Sequence, residues 1–429
     1  MPVRPQRPRA PKTPTARRTY DPSPQRWVVA AGLLWTTIAA ASPVAAQVGL
    51  GEDDVLRLAH AHAPDVAVAE AIESVADARA SAAGRFPNPT LGWSREAIRG
   101  GQPSSQDILL GTVEIDVAGP LAERSLASAA AASTRASTSL IRTTAALTAL
   151  LRFYDVVVGE RRAAIAARMV EDLEEAVRIL ARRESVGTAS GYESARIAIA
   201  LDLARSHLAD ALSELGSRRL MLAATLGITG ELPPIDADLT LRPMADEATL
   251  LGDTMQDHAA LREARLAEEL VQEAERRARW AWVPTVQLGA GLKRVSDLGG
   301  GRGYVVGVTL ELPLFQRGQT VSAEASAQGA LSRARTVALE RELSVEVSRQ
   351  YALYVGAREE LERFRGSATS HAQDLLRAAQ SGYQRGERSV VELLDAQHAV
   401  LEVGERELAL LAAVKRAEVH LRAAAGELE

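Results

Sequence analysis

The stretch Gly382 to Leu401, GYQRGERSVVELLDAQHAVL, sets Glu392 and Asp395 three residues apart in an otherwise apolar helical pattern, just after a turn signal at Gly386. Residues at that spacing share one helix face. A solvated helix surface is the ordinary home of such a pair, whereas in a narrow water-filled passage the same two carboxylates would favour cations and repel anions. Other chemistry is poorly supported. The seven histidines are scattered, and His60 and His62 stand two apart, which on a helix does not converge on one metal. There is no Gly-x-Ser-x-Gly, phosphate-binding loop or dinucleotide fingerprint. The run GGGRG, Gly299 to Gly303, lies between strand-like segments with no helix start to hold an anion. The chain is therefore not expected to be an enzyme, and no catalytic, cofactor-binding or metal-ligating residue is assigned.

These acids must be positioned by long helices. Of 429 residues, aromatics make up 4%, while Ala, Leu, Arg and Glu abound, a balance of extended helical proteins. A net charge of -5 gives no electrostatic case for nucleic acid. The absence of cysteine excludes disulfides, thiolate metal sites, a Cys nucleophile and lipidation on Cys. The N-terminus reads as a secretory signal peptide over residues 1–46. A basic segment precedes the apolar run Trp27 to Ala41, and Val44, Ala45 and Ala46 supply the small residues of a cleavage site. That run is shorter than the ~20 residues of a membrane-spanning helix. No other run approaches such a length, so any membrane passage must be made without α-helices.

The remainder reads as a weak duplication, 47–228 and 256–429, joined by a Pro-rich segment 229–255. Each half contains a strand pair, about 87–121 and about 283–315, with Gly-, Ser- and Pro-rich connectors, RGGQPSSQ and SDLGGGRG. Each pair ends on Pro-Leu and is followed by a very long helix, from about Leu121 to Arg183 and from about Gln316 to Ser381. Roughly 60 helical residues span about 90 Å, more than a globular domain needs. FYDVVVGER answers QYALYVGAR, and ESVGTASGYESAR answers SGYQRGERSVVELLDAQ. A helix is also expected from about Gln256 to Trp282, after the linker.

The strands suit either of two settings. In VGVTLEL, Val306, Val308, Leu310 and Leu312 alternate with Gly307, Thr309 and Glu311, and TVEID alternates likewise. That is the apolar-out, polar-in pattern of a membrane barrel wall. Phe86, Trp93, Trp280, Trp282, Tyr304 and Phe315 fall near strand ends, where aromatics meet lipid headgroups. Four strands cannot close a barrel, which needs about eight or more, so the chain would have to pool its strands in an oligomer. A soluble α+β protein with two ordinary hairpins, or a noncatalytic periplasmic coiled-coil scaffold, is the alternative.

PNPTL before the first strand, PLFQRGQ after the fourth, and GYQRGERSVVELLDAQ with its duplicated counterpart resemble the TolC-like outer-membrane efflux family over the whole mature chain. The resemblance implies a mainly α fold with β. Four strands per chain would form an outer-membrane β-barrel closed by trimerisation, continued by a long α-helical barrel through the periplasm. It implies a homotrimer in outer-membrane lipid, working with a periplasmic adaptor and an inner-membrane pump, and needing no cofactor. Carried onto this chain, it makes Glu392 and Asp395 the pore constriction, Glu392 standing where the family pattern has Asp. It makes Tyr383 and Arg388 a gating latch, with Glu193 near the first-half turn as their acid, although VGTASGYESAR is shorter than the family pattern. Crowding in such a ring would raise some of its carboxylate pKa values. PNPTLGWSREAIRGG and EIDVAGPLAERS are closer to heavy-metal efflux members than to multidrug or protein-secretion members. Cargo stays open between metal cations and small toxic compounds, with a type I protein secretion duct as a further alternative.

Overall fold

The computed structural model describes residues 49–98, 100, 104–116, 119–185, 190–296, 299–315 and 317–428. The signal-peptide segment 1–46 and part of the first-half turn, 186–189, lie outside them. The described chain opens with α1 (Glu52–His62) and α2 (Pro64–Ala82). Two strands follow, β1 (Thr90–Ile98) and β2 (Ser104–Ile115). The long α3 (Gly119–Ser185) and α4 (Gly191–Thr225) complete the first half. The second half runs α5 (Glu247–Asp257), α6 (Ala259–Ala278), β3 (Val286–Ser296) and β4 (Gly301–Leu310), then α7 (Gln319–Phe364). A π-helical turn, Arg365–Thr369, joins α7 to α8 (Ser370–Arg385), and α9 (Val390–Ala424) closes the fold.

The duplication survives in detail. α3 runs unbroken for 67 residues, about 100 Å, and its counterpart passes from Gln319 to Arg385 through the π turn. Glu407 of α9 holds that turn at both ends, accepting from Arg365 Nε at 2.7 Å and from Thr369 Oγ1 at 3.0 Å. The linker differs from expectation. It becomes helical at Glu247, where Asp246 precedes the first turn and accepts from Thr249 Oγ1 at 2.6 Å. The helix expected from Gln256 is two helices broken at His258, whose Nδ1 accepts the Ala260 N–H at 3.1 Å and so starts α6.

Apolar stripes on α3, α4 and α9 fuse into separate buried clusters, because helices this long pack as layers with no central core. One holds Leu150, Phe153, Val157, Leu222 and Val419, and another, beside the α8–α9 turn, holds Leu173, Ile197, Tyr383, Leu393 and Leu394.

The four strands form one antiparallel sheet in the order β1-β2-β3-β4. Because side chains alternate along a strand, the register sorts them into two faces. On one face lie the rows Ile115–Val286–Leu310, Val113–Leu288–Val308, Leu91–Gly111–Ala290–Val306 and Trp93–Leu109–Leu292–Tyr304. The other, more mixed face carries Glu114–Gln287–Thr309, Thr90–Thr112–Gly289–Gly307, Gly92–Leu110–Gly291–Val305, Ser94–Ile108–Lys293–Gly303 and Glu96–Gln106–Val295–Gly301. The apolar rows cover about 20 Å along the strands and stop at a charged row, Arg95–Asp107–Arg294–Arg302. At the opposite end Phe86, Trp280, Trp282 and Phe315 are exposed beside the strand roots. Val306 and Val308 are exposed, 72% and 68% accessible.

Candidate functional site at the α8–α9 turn

The turn is built by ordinary capping chemistry. Gly386 takes φ +76°, the left-handed conformation that ends α8, and the Glu387 N–H donates to Gly382 O at 2.9 Å. Gly382 is needed for a different reason. A Cβ there would lie 2.8 Å from Cγ and Cδ of Arg388, so the stem of Arg388 crosses the helix where only glycine leaves room. Ser389 then starts α9: its Oγ accepts the Glu392 N–H at 3.3 Å, while the Glu392 carboxylate accepts the Ser389 N–H at 2.8 Å. This reciprocal pair is a capping box.

Glu392 and Asp395 are both exposed, while Val390, Leu393, Leu394 and Gln397 between and beside them are buried. The expected shared face is present, and it points away from the chain's own core. The two acids nonetheless differ. The Glu392 carboxylate also accepts from Ser389 Oγ at 3.2 Å and Arg388 Nη1 at 3.1 Å. The Ser389 N–H and hydroxyl, with Arg388 beside them, hold its pKa below the usual carboxylate range. The rise expected from crowding is thus opposed, within one chain, by the cap. Asp395 has no hydrogen bond or ion pair among the described residues.

The three residues expected to form a latch do not form a hydrogen-bonded set. Arg388, in the turn, pairs with Glu392 of the following helix α9. Glu193 closes the equivalent capping box of α4, accepting the Ser190 N–H at 3.0 Å. Tyr383 is buried in the cluster, and among the described residues its hydroxyl makes no hydrogen bond of ordinary geometry, Arg183 being the group that interacts with it. Arg183 of α3 stacks on its ring instead, with Cζ 5.1 Å from the centroid. Burial pushes the phenol pKa up, Arg183 opposing and Glu193 adding to it, so the ring stays neutral. The role of Glu193 as a cap follows from the pattern Ser-x-x-Glu, present in both halves.

Sequence reasoning missed a buried polar clasp farther along α9. Lys415 Nζ donates to Thr240 O at 2.9 Å and to Glu418 Oε1 at 2.7 Å, and lies 4.8 Å from the Tyr154 ring centroid. Arg422 Nη1 donates to Glu52 Oε1 at 2.6 Å, and the Tyr154 hydroxyl donates to the same carboxylate. The Arg242 N–H donates to Glu418 Oε2 at 3.2 Å. The linker and the start of α1 are thereby tied to α3 and α9. Lys415 is one of three lysines in the chain, with Lys12 and Lys293, the only signal that could have drawn the eye. No grouping of three or more His, Asp or Glu among the described residues could hold a metal ion. No helix there is long and apolar enough to cross a membrane.

Residues 250–427 match the outer membrane efflux protein family. No curated protein sequence matches the chain. The fold is that of solved outer-membrane channels. CusC, studied for the conformational changes accompanying folding and transmembrane channel formation, superimposes with a TM-score of 0.70 at 18% identity, over 88% of this chain and 92% of its own. The Campylobacter jejuni CmeC outer membrane channel gives 0.70 at 14% identity, over 87% and 85%. The open state of the Neisseria gonorrhoeae MtrE channel gives 0.68 at 15%, over 87% and 88%. The family match thus covers residues 250–427, and the chain as a whole has the fold of the TolC-like channels, a helical part joined to a small β domain. The structural neighbours are outer-membrane channels that reach into the periplasm.

Proposed function

We propose that the chain is the exit duct of a tripartite efflux system, a homotrimer that passively passes metal cations or small toxic compounds. A periplasmic adaptor recruits it to an inner-membrane pump, which supplies the energy. The observation that carries this reading is the more strongly apolar face of the sheet, framed by aromatic roots and a charged row, with β1 and β4 each left with an open edge among the described residues. Open edges in lipid are untenable, so the strands of neighbouring copies must pair with them. Three copies of four strands would give a twelve-stranded wall, which meets the need for about eight or more. The α8–α9 turn, with its exposed acids, then forms the narrow periplasmic end, and the packing of Tyr383 against Arg183 holds it closed.

The test is fractionation and conductance. The protein should partition with the outer membrane as a heat-sensitive trimer and conduct ions in planar bilayers. Recovery as a soluble periplasmic species without conductance would favour the scaffold reading. Transport assays with metal salts and with amphipathic dyes, in cells carrying the cognate pump and adaptor, decide the cargo class.

A further inference from the structure

The register of β3 and β4 sets Arg294 directly opposite Arg302. Side chains paired in this way have Cβ atoms about 5 Å apart, and like charges so placed repel one another. Both arginines are exposed, and neither has an ion pair among the described residues. β2 brings Asp107 opposite Arg294, and β1 brings Arg95 opposite Asp107. Asp107 is only loosely engaged, its Oδ1 lying 3.8 Å from Arg95 Nε and making no hydrogen bond among the described residues. Three guanidiniums thus stand in one row against a single carboxylate.

The setting of this row suits an anionic amphiphile. It adjoins the loop ends of the two hairpins, the ends remote from the helices. The next row toward the roots on the same face is Trp93–Leu109–Leu292–Tyr304, with Trp93, Leu292 and Tyr304 exposed. The row beyond carries only Ala97, Ser105 and Ser296. The other face at this end has one cation, Lys293, and one acid, Glu96, so the excess of positive charge belongs to the apolar side. Resting on the reading of the sheet as a barrel wall, that side meets lipid, and its arginines lie at the outer boundary, where charge on a lipid-facing surface costs little. The planar guanidinium fork matches phosphate oxygens. We propose that Arg294 and Arg302, with Arg95 beside them, bind the phosphate of an outer-leaflet lipid headgroup. The acyl chains of that lipid lie along Leu292 and Tyr304, and a phosphate held between the two opposed guanidiniums removes their repulsion.

The test uses the full-length trimer in detergent, with fluorescently labelled diphosphoryl lipid A as the probe. The paired change Arg294→Gln with Arg302→Gln should weaken binding about tenfold or more, the scale on which loss of charge-assisted hydrogen bonds acts. Lys293→Gln, on the other face, should leave binding unchanged. The native trimer should bind the same lipid stripped of its phosphates as weakly as the paired variant binds the phosphorylated form. Equal binding with and without phosphates, or an equal loss in Lys293→Gln, would overturn the assignment to the two arginines. Displacement of the probe by millimolar inorganic phosphate would make the row a free-anion site and overturn the assignment to lipid. Recovery of each variant as a heat-sensitive trimer with native conductance shows that the wall is intact, so that a failure of lipid binding is read separately from a failure of the barrel. A native chain that forms no membrane-inserted trimer would overturn the barrel reading and this inference with it.

Discussion

Lys415 and Glu418 meet inside the protein, Nζ 2.7 Å from Oε1, with side chains only 2% and 0% accessible. Such a pair is costly to desolvate, and its worth lies in what surrounds it: Thr240 O and the Arg242 N–H occupy the remaining valences and bind the linker to α9. Lys415→Met should therefore destabilise the chain by about 3–5 kcal/mol, because it strands the Glu418 charge. Adding Glu418→Leu should restore much of the loss. Denaturant titration of the two variants in detergent checks the order, and equal loss in both would mean that the linker contacts, not the stranded charge, set the cost.

The neighbouring Glu52 gives a pH dependence. Burial raises its pKa, but hydrogen bonds from Tyr154 and Arg422, with the charges of Arg422 and Arg242, outweigh this and leave the folded value below the ordinary 4.5. A depressed carboxylate stabilises the fold above its unfolded pKa, and that contribution is lost as pH falls from about 4.5 through the folded value. Melting temperatures should thus decline below about pH 4.5 more steeply in the native chain than in Glu52→Gln. Parallel profiles would remove Glu52 from the acid response.

Much of this architecture is legible in sequence because it repeats locally. Alternation from Val306 to Leu310 survives in the fold because a strand shows opposite faces at successive residues, although Glu311 and Leu312 lie beyond the end of β4; the long helices are written in residue spacing. The clasp is illegible because it joins Glu52, Tyr154, Thr240 and Glu418, which no local pattern connects. Glu392 is an intermediate case. The motif Ser-x-x-Glu announces a cap, yet an acid that caps and an acid that faces a passage look alike until the Ser389 and Arg388 contacts are seen. Within one chain, Arg388 contacts Glu392 and Glu193 caps α4, contacts that residue types alone do not distinguish from those of a latch.

The sheet register predicts unequal tolerance along β4. Val308 sits in the apolar row opposite Leu288, whereas Thr309 sits on the other face opposite Gln287. Val308→Arg should cost ~2–4 kcal/mol in a membrane-inserted trimer if the residue lies near the midplane, and Thr309→Arg should cost much less. Refolding into lipid vesicles, followed by denaturant titration, reads both. Equal tolerance would refute the assignment of the faces.

Tyr383 separates packing from hydrogen bonding at the turn. Among the described residues its hydroxyl makes no hydrogen bond of ordinary geometry, while its ring is buried against the α8–α9 cluster and under the Arg183 guanidinium. Tyr383→Phe keeps the ring, the stacking and the fit, and removes a buried group that makes no such bond, so stability should hold or rise slightly. Tyr383→Ala empties the space and should cost ~3–5 kcal/mol, as removal of a large buried aromatic ring does. If ring packing holds the end of the duct closed, single-channel conductance should rise in Tyr383→Ala and stay unchanged in Tyr383→Phe. A rise in Tyr383→Phe equal to that in Tyr383→Ala would assign closure to a hydrogen bond that the hydroxyl makes to a neighbouring copy, and would refute closure by packing.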